Sequence, residues 1–276
     1  MTILQSSGNF IIMVRIGLII LLFYNQLYAQ VYSGPRSLAL GSTSAALIDS
    51  WSVQQNPAGI SELKRPVIAL SYEQHFLDTE LSTQSAILVL PFSKHVFGLS
   101  FSRYGFSEYL EQSAGFVYAR SFSGALSLAI AFRTHQMYIS NYGNAVAYSL
   151  DAGMQFRLTD NILIGSSIRN PGRSEYKDSP GAYLPVSLSV GISCLFGDKV
   201  LVLSDIEKVL GHSMNLKSGI EYKPVQSFVI RGGVSVNPYK QHAGFGFYFK
   251  GISVDAAISS HPNLGLSPNL GLSYEF

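Results

Sequence analysis

The sequence predicts an all-β fold: a transmembrane antiparallel β-barrel of about 14 strands, with an N-terminal plug or hatch segment in the lumen. Three observations lead there. Long stretches alternate with period 2, large apolar residues on one face and small or polar residues on the other. The connections between these stretches are short and longer in turn. The chain is also apolar and sparsely charged, 47% hydrophobic against 13% charged with a mean hydropathy of +0.22. Yet past residue 30 no apolar run is long enough to cross a bilayer as a helix.

Residues 1–29 have the layout of a secretory signal peptide. Arg15 precedes the apolar run Ile16 to Tyr24, and a polar stretch closes on Ala29, the expected cleavage point; Met13 is an alternative start. The run is too short for a membrane anchor, which needs about 20 residues. Export without a spanning helix points to the cell outer membrane, with its lipid and the barrel assembly machinery as partners. A net charge of +2 gives no reason to expect nucleic acid, and a single cysteine, Cys194, rules out an internal disulfide framework.

Residues 30–65 break the alternation and are rich in small residues. Asn56, Pro57, Ala58 and Gly59 read locally as a turn: the residue before a proline is pushed out of the helical region, and glycine permits a tight exit. An ordered linker is one reading. A plug is the other, favoured because many inward positions of the barrel are Gly, Ala or Ser and leave room for it.

Residues 66–276 form the barrel. The candidate strands are 66–75, 81–92, 95–105, 109–122, 125–138, 145–158, 161–169, 183–196, 199–209, 214–223, 227–236, 242–249, 251–259 and 269–276. In the fifth, Leu126, Leu128, Ile130 and Phe132 alternate with Ser127, Ala129, Ala131 and Arg133. Short connections such as 122–124, 159–161, 197–199, 224–226 and 250–251 alternate with longer ones at 138–145, 170–182, 210–213, 237–241 and 260–268. A β-sandwich would share the periodicity but has no reason to alternate its connections. An even strand count puts both barrel ends on the short-turn rim, expected to be periplasmic. The last strand carries Leu270, Leu272, Tyr274 and Phe276 on one face. Tyr274 and Phe276 are the candidate assembly signal, since that strand must pair with the first to abolish the edges.

Nine charged residues fall in the small or polar, inward register: Arg133, Asp151, Arg157, Arg169, Lys217, Glu221, Arg231, Lys250 and Asp255. Their mixed signs favour a salt-bridge network stiffening a filled lumen over an ion-selective path. No catalysis, cofactor or metal is expected. The histidines at 75, 95, 135, 212, 242 and 261 lack ligand spacing and read as rim and loop positions, and there is no G-x-S-x-G.

The segment leading to Asn56-Pro57-Ala58-Gly59 resembles the hatch of the FadL-type long-chain fatty acid transporters, which are fourteen-stranded barrels with a hatch in the lumen. Residues 175–193, 205–208, 218–224 and 258–276 resemble a related branch, the PorV/PorQ family of Bacteroidota. That resemblance implies a non-enzymatic, PorV-like accessory barrel engaging exported proteins or a type IX secretion machine. The loop 170–183 would be its contact surface, with Arg173, Glu175, Tyr176, Lys177 and Asp178 exposed. The broader resemblance implies the alternative, a FadL-like passive transporter of hydrophobic small molecules. The trimmed outer loops and charged inward face favour the first.

Overall fold

The computed structural model describes residues 34–177 and 179–276. The signal layout and Asp178 lie outside the described residues. Antiparallel strands close into one barrel of fourteen. One half of the wall is β1 (Val67–Gln74), β2 (Ser82–Phe92), β3 (His95–Gly105), β4 (Tyr109–Phe122), β5 (Leu126–Ile139), β6 (Gly143–Thr159) and β7 (Ile162–Arg169). The other half is β8 (Ser187–Phe196), β9 (Val200–Val209), β10 (Asn215–Val225), β11 (Phe228–Val236), β12 (Tyr239–Phe249), β13 (Ile252–His261) and β14 (Gly265–Glu275). Each strand pairs with its sequence neighbours, and β14 returns to β1, with Val67 opposite Glu275 and Glu73 opposite Asn269.

Side-chain alternation sets the register. On β1, Val67, Ala69, Ser71 and Glu73 are buried towards the lumen, while Ile68, Leu70 and Tyr72 are exposed on the outside. The same holds on β14, where Ser267, Asn269 and Gly271 face in and Leu266, Leu270 and Leu272 face out. A slip of one residue would turn the apolar set into a polar lumen, so the pattern specifies one pairing. The result is inverted relative to a water-soluble barrel: the outer wall is apolar and the interior small and polar.

One rim carries the short turns 93–94, 123–125, 160–161, 197–199, 226–227 and 250–251. The opposite rim carries 75–81, 106–108, 140–142, 170–186, 210–214, 237–238 and 262–264. The expected longer connections 237–241 and 260–268 are therefore corrected to 237–238 and 262–264. Lys240 and Ser267 look like loop residues in sequence, but they occupy lumen-facing positions of β12 and β14. β8 starts at Ser187, and the chain from 183 to 186 belongs to the preceding loop.

That loop folds inwards. β6 pairs with β7 only from Asp151 onwards, leaving residues 143–150 without a β7 partner. The Lys177 N–H donates to the Val146 carbonyl at 2.8 Å, and Tyr176 and Leu184 bury against Ala145 and Ala147. Tyr176, expected to be exposed, is thus buried: two inward alanines leave a recess that its ring fills.

The segment before β1 lies against the inward face of the wall. It holds a short helix, α1 (Pro35–Ala39), and two 3-10 turns, Ser50–Gln54 and Pro57–Ile60. α1 contacts β11 to β14, Ser50–Gln54 contacts β2 and β3, and Pro57–Ile60 contacts β4 to β6. The hydrophobic clusters form between segment and wall: Val53, Ala58 and Ile60 with Val89, Val96 and Val117; Trp51 with Ala69 and Ile87; Leu40 and Leu47 with Leu203.

Candidate functional site

The inward face of the wall, with the N-terminal segment packed on it, is the candidate site, and the segment's seat is built from glycines. At Gly153, Gly165, Gly219, Gly233 and Gly271 the wall meets the N-terminal segment so closely that a Cβ would collide with it, and at Gly98 a Cβ would be in tight contact with Val53 and Ile60. At Gly165 it would strike the Ala45 carbonyl, at Gly153 the Asn56 side chain, and at Gly271 the Pro35 ring. At Gly165, Gly219 and Gly233 backbone approaches backbone, which no larger residue permits.

Polar contacts fasten the segment at several points. Arg36 of α1 makes a bidentate pair with Glu221, at 2.9 and 2.8 Å, and also reaches Asp49 at 3.2 Å. Glu221 in turn accepts from Arg231 at 2.6 Å, and Arg231 donates to Asp255 at 2.5 Å and to the Tyr248 hydroxyl at 2.6 Å. The Asp205 carboxylate accepts from the backbone N–H groups of Ser44 and Ala45, at 2.5 and 2.9 Å. Arg133 donates to Asp151 and to the Val53 carbonyl, both at 2.6 Å. Gln155 donates to the carbonyls of Ala45 and Leu47.

Asn56 stands at the centre of the segment. Its side chain accepts from the Ala58 N–H at 3.2 Å and donates to the carbonyls of Ala45 and Met154. It caps the 3-10 turn Pro57–Ile60, so the expected tight exit at Gly59 is corrected to one turn of helix. Gly59 is needed for space: a Cβ there would meet the Leu47 carbonyl and Ser52.

No protein-family model matches the sequence, and no curated protein matches it. Solved structures do match its fold. The Pseudomonas putida toluene transporter TodX superposes with a TM-score of 0.71 at 13% identity, covering 91% of this chain and 99% of TodX. The monoaromatic hydrocarbon channel CymD gives 0.68 at 14% identity, with 91% and 99% covered. A Pseudomonas aeruginosa FadL homologue gives 0.64 at 12% identity, with 88% and 98% covered. The fold is that of the FadL-type barrels.

Within this barrel the expected inward charges form separate clusters instead of one mesh. Arg133 pairs with Asp151; Glu221, Arg231 and Asp255 join through Arg231; Arg169 and Lys217 share Glu207, at 2.8 and 2.6 Å; Arg157 pairs with Glu62 of the N-terminal segment. Lys250 is a correction. It lies in the turn after β12, where the alternation ends, and its Nζ sits 5.3 Å from the Phe249 ring centroid. Sequence reasoning missed Arg36, Asp49, Asp205, Glu207 and Gln155. Asp205 and Glu207 flank the outward Ile206, but they share their parity with Leu201 and Leu203, whose large apolar side chains read as outward in sequence and hid the inward register. Arg36 and Asp49 lie where no periodicity indicates direction.

The histidines at 135 and 242 are corrected from rim and loop positions to lumen-facing strand positions, while His75 lies in the rim connection 75–81 as expected and is buried there. His135 shares a hydrogen bond with Ser149 at 3.0 Å, and His75 one with Thr83 at 2.8 Å. Burial, with Lys240 adding to it, pushes the His75 imidazole down to about 4, so it is neutral at neutral pH. No metal-binding cluster occurs among the described residues. Tyr274 and Phe276 lie on the outer wall with their rings edge to face at 4.8 Å, and the Phe276 N–H donates to the Pro66 carbonyl at 3.0 Å.

Proposed function

We propose that this chain is a non-enzymatic integral barrel of the cell outer membrane, giving hydrophobic small molecules a passive route, with residues 34–63 as its hatch. The observation that carries this reading is the chain's own N-terminal segment packed on the inward face of the wall by apolar clusters and hydrogen bonds, in the fold of TodX and CymD. The apolar outer wall supports membrane residence. Both barrel ends lie on the short-turn rim, which is periplasmic in this reading.

The PorV-like accessory role becomes the second reading. The trimmed long-connection rim favours it, as does continuous pairing in one part of the wall: β2–β3 and β3–β4 pair without a register shift, so no side opening is built there. Uptake of radiolabelled toluene by cells carrying the assembled barrel decides between them. The passive-route reading expects initial uptake several-fold above cells without it. Unchanged uptake, with exported proteins co-purifying in near-stoichiometric amounts, would establish the accessory role instead.

A further inference from the structure

Outside the lumen, the wall of β4 to β8 carries a hollow. Outward side chains stand there in two neighbouring rows. One runs Arg120, Leu128, Met154 and Ser166; the next runs Tyr118, Ile130, Ala152, Ile168 and Leu188. Ala152 and Ser166 are diagonal neighbours on β6 and β7 and are too short to stand level with Ile130, Met154 and Ile168. They form the floor of an open groove of about 590 Å³, within the range of about 300–1,000 Å³ usual for small-molecule sites.

The groove is apolar except at one end. Arg120 lies on the outward face, two residues before β4 ends at the short-turn rim, with its guanidinium 4.9 Å from the Phe122 ring centroid. Its Nε is buried and has no hydrogen-bond partner in the protein. His95, which pairs with Arg120 across the sheet, bonds the Tyr118 hydroxyl at 2.7 Å. A buried guanidinium N–H beside an apolar trough needs an anion to complete it, and phosphate fits the guanidinium fork. The position is that of a lipid headgroup: polar at the rim, apolar along the wall.

We propose that this groove binds a phospholipid. One acyl chain lies over Ala152 and Ser166, and the phosphate accepts from Arg120, with His95 and Tyr118 beside it. The inference rests on the membrane residence proposed above and is independent of what passes through the lumen.

Native mass spectrometry tests it on barrel extracted from vesicles of phosphatidylglycerol and phosphatidylethanolamine. Wild type should retain one phospholipid adduct after the detergent is stripped. Ala152→Leu, which fills the floor, and Arg120→Gln, which removes the charge, should each lower its occupancy roughly tenfold. Ala243→Leu, on the outer face of β12, should leave it unchanged. Heat-modifiable migration identifies assembled barrel, and if Arg120→Gln fails to assemble, Ala152→Leu decides alone. Absence of an adduct in wild type, wild-type occupancy in the groove variants, or displacement by excess inorganic phosphate would overturn the proposal. Normal toluene uptake by the same variants would confine that failure to the groove.

Discussion

Arg133 illustrates how a lumen charge depends on its neighbours. Its side chain is 8% exposed and that of Asp151 is 2% exposed. Asp151 also accepts from the Asn170 N–H at 3.0 Å, tying the start of the long loop to the wall. Removing one member of such a pair strands the other in a poorly solvated interior. Asp151→Ala is expected to destabilise the barrel by about 3–5 kcal/mol, and adding Arg133→Met should recover most of that loss. Urea unfolding in lipid vesicles measures both. An unchanged midpoint in the single variant would mean that water reaches Arg133 and compensates it. Lys250 shows the opposite situation: exposed in a turn, it forms no part of any lumen cluster.

Among elements, the N-terminal segment and its glycine seat decide what the lumen can do. The segment has only one short helix and two 3-10 turns, none long enough to be stable alone. Its conformation comes from the wall: the glycine belt admits its backbone, and Arg133, Gln155, Asp205 and Glu221 supply hydrogen bonds. Gly165→Leu should keep the strand pairing, since Leu163 already faces inwards on the same strand, but should lift residues 44–47 off β7. Faster amide exchange over 40–47 and a several-fold rise in single-channel conductance are the expected results. Wild-type exchange and conductance would show that the seat tolerates a side chain and the segment is not set by contact at Gly165.

The whole molecule is organised around an apolar outside. Leu270 lies at the middle of β14 and is 60% exposed, whereas Leu266 lies near the end of that strand. In a bilayer, Leu270→Arg should cost about 2–4 kcal/mol and Leu266→Arg about 0–1 kcal/mol. Unfolding of the two variants in vesicles checks this, and equal costs would argue against a membrane depth gradient along β14. The comparison uses one strand and one substitution, so β-propensity and side-chain entropy cancel.

What the sequence determined by itself was the wall. Period-2 alternation is a local property, so strand after strand could be assigned, and alternating connection lengths then implied closure. The inward parity of Arg133, Asp151, Glu221 and Arg231 followed from the same count. The tertiary structure decided what local pattern cannot carry. Lys240 and Ser267 became strand residues because a polar lumen accepts what a soluble core would reject. Tyr176 turned inwards because Ala145 and Ala147 left it space. The glycines of β3, β6, β7, β10, β11 and β14 acquired their meaning only once residues 34–63 lay against them. Arg36 found Glu221 across 185 positions of sequence. Such contacts join segments with no periodicity to strands far along the chain, and only closure of the barrel brings them within hydrogen-bonding distance.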